Sequence, residues 1–187
     1  MNLLSVQLTT VCNLRCKECP TMKWMTNEPI KDHLRNDTLI PYILDNYQSN
    51  KWFIELTGGE PAMYEGINEL IEELTFHKYK GLVKTNGLKQ IKPSKNFLRV
   101  AAWHTEKLPK SYDVILRIDK IQDCSNKVQY CKDNNIPHQV IGLDHELPTY
   151  IYPEKNHRFD KISCIDPDGD VVSCPKISND KITNILG

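Results

Sequence analysis

The sequence predicts an α/β fold, a mostly parallel sheet in an open or partial barrel of (β/α)6 type with a short C-terminal β-hairpin appendage. Three observations carry that reading. Short apolar runs alternate with stretches of helical period, the mark of repeated βαβ units and a parallel sheet. Six such units fall within about 140 residues, too few to close an eight-stranded barrel. Near the C-terminal end, ISCIDPDGDVVSC alternates apolar residues on both sides of a Pro-Asp-Gly turn, which is hairpin chemistry.

The elements follow in order. Leu3 to Thr9 reads as the first strand, and a long polar segment holding three cysteines follows it. Asp37 to Tyr47 reads as a helix, with Asp37 as its cap and Pro41 in its first turn. Trp52 to Leu56 is the second strand, ended by Gly58 and Gly59. Tyr64 to His77 is an amphipathic helix with Ile67, Leu70, Ile71 and Leu74 on one face. Gly81 to Lys84 is the third strand, closed by Thr85-Asn86-Gly87. The stretch from Leu88 to Asn96 is too short and too rich in breakers for a crossover helix. Leu98 to Trp103 and Tyr112 to Ile118 are strands four and five, Ser125 to Asn134 is a helix, and His138 to Leu143 is strand six. Residues 1–144 form the core on this reading, and residues 145–187 an extension carrying the hairpin at about 162–174. Together these elements describe a partial TIM-like barrel.

Bulk properties narrow the function. The chain has 187 residues, 40% apolar and 26% charged, which suits one globular domain. Its 24 basic and 24 acidic side chains cancel, so nothing in the total favours nucleic acid as a partner. No run approaches a membrane span, and the N-terminal residues lack the basic and apolar regions of a signal peptide. The expected home is cytoplasmic. There, seven cysteines point to metal binding or catalysis more than to disulfides, and three of them lie within eight residues.

That cluster, Cys12-Asn-Leu-Arg-Cys16-Lys-Glu-Cys19, has C-x3-C-x2-C spacing in the loop after the first strand, the end at which barrel enzymes place their chemistry. Three soft thiolates in one loop suit an iron-sulfur cluster or zinc. Zinc needs a fourth ligand, such as His33; a four-iron cluster keeps one iron open.

VCNLRCKEC resembles the cluster-binding signature of the radical S-adenosylmethionine (SAM) superfamily. The resemblance extends to Gly58-Gly59-Glu60-Pro61 after the second strand and to Thr85-Asn86-Gly87 after the third. It implies a 4Fe-4S cluster on Cys12, Cys16 and Cys19, with SAM chelating the open iron and its ammonium received by Glu60. Glycines would let the backbone approach the ligand, and a carboxylate pairs with an ammonium. The implied activity is reductive cleavage of SAM to a 5'-deoxyadenosyl radical that takes hydrogen from a peptide or small metabolite. A reductant such as flavodoxin or ferredoxin would supply the electron. Glycyl-radical activation, deazapurine chemistry, and a zinc or iron-sulfur module without SAM cleavage are the alternative readings. Glu18 departs from the family, which carries an aromatic or apolar residue before its third cysteine.

The resemblance also implies SAM contacts farther along the barrel. His104, with Thr105, stands where a ribose-binding side chain is expected; His104 there touches ribose or substrate, or is a polar strand-end residue. Arg117 holds the SAM carboxylate if it points inward, and caps an exposed strand face if outward. Ile141 and Gly142 are placed for backbone contacts to adenine by analogy. Cys124 and Cys131, seven apart, read as core. Around the Pro-Asp-Gly turn Cys164 faces residues 171–173, not Cys174. The hairpin resembles the start of a SPASM or twitch extension, without enough cysteines for an auxiliary cluster. Trp52, Trp103 and Tyr150 read as packing residues, and Trp24, in the cysteine segment, as the aromatic best placed for a substrate.

Overall fold

The alternation of strand and helix folds into one nine-stranded sheet in the computed structural model, which describes residues 1–16, 19, 34–113, 115–119, 125–136, 138–141, 161–166, 168–173 and 181–184. Six strands run parallel in chain order: β1 (Asn2–Gln7), β2 (Trp52–Thr57), β3 (Lys80–Thr85), β4 (Phe97–Ala102), β5 (Ile115–Asp119) and β6 (His138–Ile141). The hairpin is present as β7 (Ile162–Ile165) and β8 (Asp170–Ser173), with Cys164 opposite Val172 as expected. It is hydrogen-bonded into the sheet, because β7 lies parallel beside β1, pairing Leu3 with Ile162 and Val6 with Ile165. A strand the sequence reading missed, β9 (Lys181–Asn184), adds antiparallel to β8. The order β6-β5-β4-β3-β2-β1-β7-β8-β9 leaves the sheet open and β1 in its interior.

Period-2 alternation sorts each strand onto two faces. Leu4, Val6, Ile54, Leu56 and Val83 meet helices α1 (Asn36–Asn46) and α2 (Ile67–Phe76) through Leu39, Ile43, Leu70 and Leu74, all fully or nearly fully buried. Each such aliphatic side chain contributes roughly 1.5–3 kcal/mol on burial. Leu3, Phe53, Leu82 and Val100 form a separate apolar cluster on the opposite face. Helix α3 (Ser125–Asp133) packs buried Cys131 against Ala101 and Trp103, and Lys127 Nζ donates to the Trp103 carbonyl at 3.2 Å. Trp52 and Trp103 are core residues, as expected; Trp24, Tyr150, Cys124 and Cys174 lie outside the described residues.

Two helix starts differ from the sequence reading. Asp37 does not cap α1: the cap is Arg35, in extended conformation, and Asp37 instead accepts from the Arg35 guanidinium at 2.8 Å. Pro41 is accordingly in the second turn, where it leaves the Asp37 carbonyl without its helical donor. Burial of Leu39 and Ile43 offsets that loss, and the Tyr79 hydroxyl closes the far end by donating to the Tyr47 carbonyl. The second helix begins at Ile67, not Tyr64, because Pro61–Met63 form a 3-10 turn and Gly66 adopts a left-handed φ of 85°. A side chain there would meet Asn36 Nδ2 at 2.6 Å, and that amide donates to the Gly66 carbonyl at 2.9 Å.

No helix joins β3 to β4; a buried arginine takes the place of one. Arg99 extends from β4 and pairs with Asp113 through Nε (2.9 Å) and Nη2, while Nη1 donates to the Ile91 carbonyl at 2.8 Å. Ser111 fills the same network, donating to Ile91 O and accepting from Ile91 N–H at 3.1 Å. Strand five was expected from Tyr112 and starts at Ile115, because residues 111–113 are taken up by this cluster. Burial pushes the Asp113 carboxyl up, and its bonds to Arg99 outweigh burial, holding it below its ordinary 3.8. No helix among the described residues is long and apolar enough to cross a membrane.

Replacing Arg99 with Met removes the guanidinium from Asp113 and from the Ile91 carbonyl, leaving the carboxylate only the backbone N–H of position 99 and the carbonyl only the Ser111 hydroxyl, and should cost about 3 kcal/mol in chemical denaturation. Asp113 has a lowered value, so its contribution is complete above pH 3.8 and lost as pH falls through that lowered value. The stabilities of wild type and Arg99→Met should therefore converge in strong acid.

Candidate functional site

The three motifs singled out in the sequence meet at the C-terminal ends of β1, β2 and β3. Their meeting is built by backbone first. Past the strands, the β1–β2 ladder continues as Leu8 N–H to Thr57 O (2.9 Å), Gly59 N–H to Thr9 O (2.6 Å) and Glu60 N–H to Val11 O (2.8 Å). Two glycines make this approach possible. A Cβ on Gly58, whose φ is +128°, would lie 2.6 Å from Thr9 O, and one on Gly59 would lie 2.3 Å from Val11 O. The close approach recorded here is to the chain that leads into Cys12.

Glu60 then turns inward, 1% exposed. Its Oε1 accepts from Ala62 N–H (2.9 Å) and the Thr85 hydroxyl (2.5 Å), and its Oε2 accepts from Asn86 N–H (2.6 Å). Pro61, buried, opens the 3-10 turn that presents Ala62 N–H, at a position where its own lack of an N–H costs nothing. Thr85 is fixed in turn, accepting from Gly87 N–H at 3.0 Å. Asn86 Nδ2 donates to Asn13 Oδ1 at 2.7 Å, which returns the circuit to the cysteine loop. Three loops are thus joined in a ring: first to second by backbone, second to third through the Glu60 carboxylate, third to first through the Asn86–Asn13 amides.

The electrostatics centre on Glu60. Burial raises its pKa above the ordinary 4.5, while the bonds from Asn86, Thr85 and Ala62, and the charge of His104, pull the other way without cancelling burial. His104 itself is exposed, just past β4. The Cys12 thiol is half-buried and is also raised: burial leads, Leu14 N–H opposes it, and the negative charges of Glu60 and Cys19 add to it. Leu14 N–H lies 3.4 Å from Cys12 Sγ, and Arg15 Nη1 donates to the Cys12 and Leu14 carbonyls at 2.8 Å each. Cys19 N–H bonds Cys16 O at 3.1 Å, closing a turn between the second and third cysteines.

The structure thus brings Cys12, Cys19, Glu60 and His104 into electrostatic range, with Thr85 and Asn86 bonded to Glu60. Among the described residues no three His, Cys, Asp or Glu side chains converge at metal-ligand geometry. Arg117 is described by its backbone, opposite Ala102 in the ladder, as is Ile141 at the end of β6; Gly142, Glu18 and His33 lie outside the described residues. Asn13 went unassigned in the sequence. A single asparagine between two motif residues carries no signal until its partner, Asn86, is known.

The donor set suits an iron-sulfur group: three cysteines of one loop, all partly exposed, with a buried anionic side chain beside them. No protein-family model matches the chain. A curated relative, the 7-carboxy-7-deazaguanine synthase of Clostridium acetobutylicum, is 32% identical over 103 residues, covering 54% of this chain and 45% of the relative. The chain therefore matches less than half the length of that enzyme. Among solved structures, SuiB of Streptococcus suis bound to the precursor peptide SuiA superimposes with a TM-score of 0.70 at 16% identity, over 98% of this chain and 62% of that one. anSMEcpe with AdoMet and the Cp18Cys peptide gives 0.62 at 15% identity, covering 98% and 77%. BtrN with AdoMet and 2-DOIA gives 0.56 at 14%, covering 98% and 78%. The chain shares the fold of these structures, and its three motifs stand in order at the ends of consecutive strands of that fold.

The raised Glu60 pKa makes the ligand-free chain pH-sensitive. A carboxyl whose folded value lies above 4.5 adds stability below that pH, and the addition is lost as pH rises through the folded value. Melting temperature should fall across that window in wild type, and this component should be absent from Glu60→Gln.

Proposed function

We propose that the chain is a radical SAM enzyme, with a 4Fe-4S cluster on Cys12, Cys16 and Cys19 and SAM bound against Glu60. The observation that carries the reading is the Glu60 carboxylate itself, 1% exposed, fixed by three donors and within electrostatic range of Cys12. A buried carboxylate without a cation beside it is unfavourable, and an ammonium is its natural complement. When bound, the cluster and SAM supply one-electron reductive cleavage to methionine and a 5'-deoxyadenosyl radical that takes a hydrogen atom from the substrate.

The chain's residues supply position. Thr85, Asn86 and Ala62 use both Glu60 oxygens as acceptors, which fixes the carboxylate plane before any ligand arrives. Asn13, next to Cys12, ties the cysteine loop to Asn86 and through its N–H to the carboxylate. His104 and Arg117 are proposed as further SAM contacts, His104 because its charge already acts on Glu60. Residues 145–187 are proposed as an extension covering the open face, and a flavodoxin or ferredoxin as the reductant. A peptide substrate is supported by the structures of SuiB with SuiA and anSMEcpe with Cp18Cys. A deazapurine-type small metabolite is the second reading, supported by the 32% likeness to the deazaguanine synthase.

The test is anaerobic: reconstitute with iron and sulfide, reduce, add SAM and measure 5'-deoxyadenosine. Wild type should form it; Cys16→Ala and Glu60→Ala should lower the rate by about a hundredfold or more, the equivalent of about 3 kcal/mol of lost stabilisation. Uptake of zinc without a cluster would refute the reading.

A further inference from the structure

Polar side chains interrupt the face of the sheet opposite α1 and α2, below the site. On that face Leu3, Phe53, Leu82 and Val100 form a buried apolar floor. One step toward the strand ends stand Ser5, Glu55 and Lys84, on three adjacent strands. Ser5 Oγ donates to Glu55 Oε2 at 3.0 Å, and Lys84 Nζ lies 2.5 Å from Glu55 Oε1. The Glu55 side chain is 9% exposed, but that of Lys84 is 28% exposed. β3 has strands on both sides, so a mid-strand side chain there reaches solvent only through open space above the sheet. Ser5, Gln7 and Thr57 are likewise partly exposed while their neighbours Leu4, Val6 and Leu56 are fully buried. These part-exposed polar residues outline a recess, beneath which the apolar cluster is closed to solvent. Lys84 is two residues before Asn86, so the recess opens about 7 Å below the Glu60–Asn86 cluster.

Stability does not account for the pair. An ion pair buried on a sheet face is about equalled, and often bettered, by apolar side chains of the same volume. The arrangement is instead graded: the carboxylate lies deep, held by Ser5, and turns the ammonium outward. An ammonium has three donors, and Glu55 engages it from below. Lys84 is the more exposed partner of the pair, so what the recess offers a ligand is the part of its ammonium that Glu55 does not engage.

We propose that this recess is the substrate subsite, with Lys84 as its specificity-determining contact for an anionic group, a carboxylate or phosphate, and Glu55 as the residue that positions Lys84. This deepens the radical SAM reading and rests on it for the identity of the site. An anion on Lys84 would place the adjoining carbon skeleton beneath the Glu60 cluster, beside the part-exposed Gln7 and Thr57.

The test measures binding to the full chain without SAM, so its failure is distinct from failure to form 5'-deoxyadenosine. Melting temperature is followed at constant ionic strength with N-acetylglycine, its neutral amide N-acetylglycinamide, or inorganic phosphate. The acid or phosphate should raise it in wild type and the amide should not; which anion is stronger tells a carboxylate substrate from a phosphorylated one. Lys84→Arg should retain binding, and Lys84→Met should weaken it at least tenfold. Lys84→Met leaves a carboxylate buried alone, so Glu55→Leu combined with Lys84→Met is the folded control and should be equally blind to anions. Equal shifts with acid and amide, a shift that survives in the double variant, or no shift with either anion would each overturn the proposal.

Discussion

A carboxylate buried where water cannot reach it dictates the rest of this structure. Left bare, Glu60 would carry a desolvation penalty of several kcal/mol, so every neighbour is recruited to donate to it. The donors come from elements distant in sequence: Ala62 from a turn, Thr85 and Asn86 from the end of β3. Satisfying one side chain therefore fixes the relative position of two strand ends, and the Asn86–Asn13 bond carries that position into the cysteine loop. The raised pKa shows that the donors do not fully compensate burial. On the proposed function, that remainder is what the ammonium of a ligand would meet.

Parts of this were legible in the residues. The six parallel strands and the hairpin announce themselves because period-2 alternation and turn chemistry are local, and every residue that reports them is a near neighbour. The three motifs were readable for the same reason. What escaped depends on side-chain partners that no local pattern names. Asp37 looked like a cap because Asp favours that role; its neighbour Arg35 engages the carboxylate instead. Arg99 drew no reading in the sequence, because its partners Asp113 and Ile91 are brought around it only by the fold. Gly58 and Gly59 suggested approach to a ligand, and the structure sets them against Thr9 and Val11.

The same contrast separates the two charged pairs of the sheet. Arg99–Asp113 lies on the helix side of β4, where no helix bridges β3 and β4, and it holds two loops to the strand. Glu55–Lys84 lies on the other face, where the strands themselves already supply every backbone bond. One pair replaces a missing structural element. The other has no loop to hold, and its more exposed member points to open space.

The placement of β1 carries a consequence for how the chain comes to be folded. Its two hydrogen-bonding edges are filled by β2, encoded soon after it, and by β7, encoded far downstream. During synthesis the β2 edge can zip early, while the other edge must wait, unpaired, until the hairpin has left the ribosome. For most of translation the strand that leads into the cysteine loop is thus a template open to any extended segment, its own or another chain's. The second edge of β1 is filled only when that distant hairpin docks.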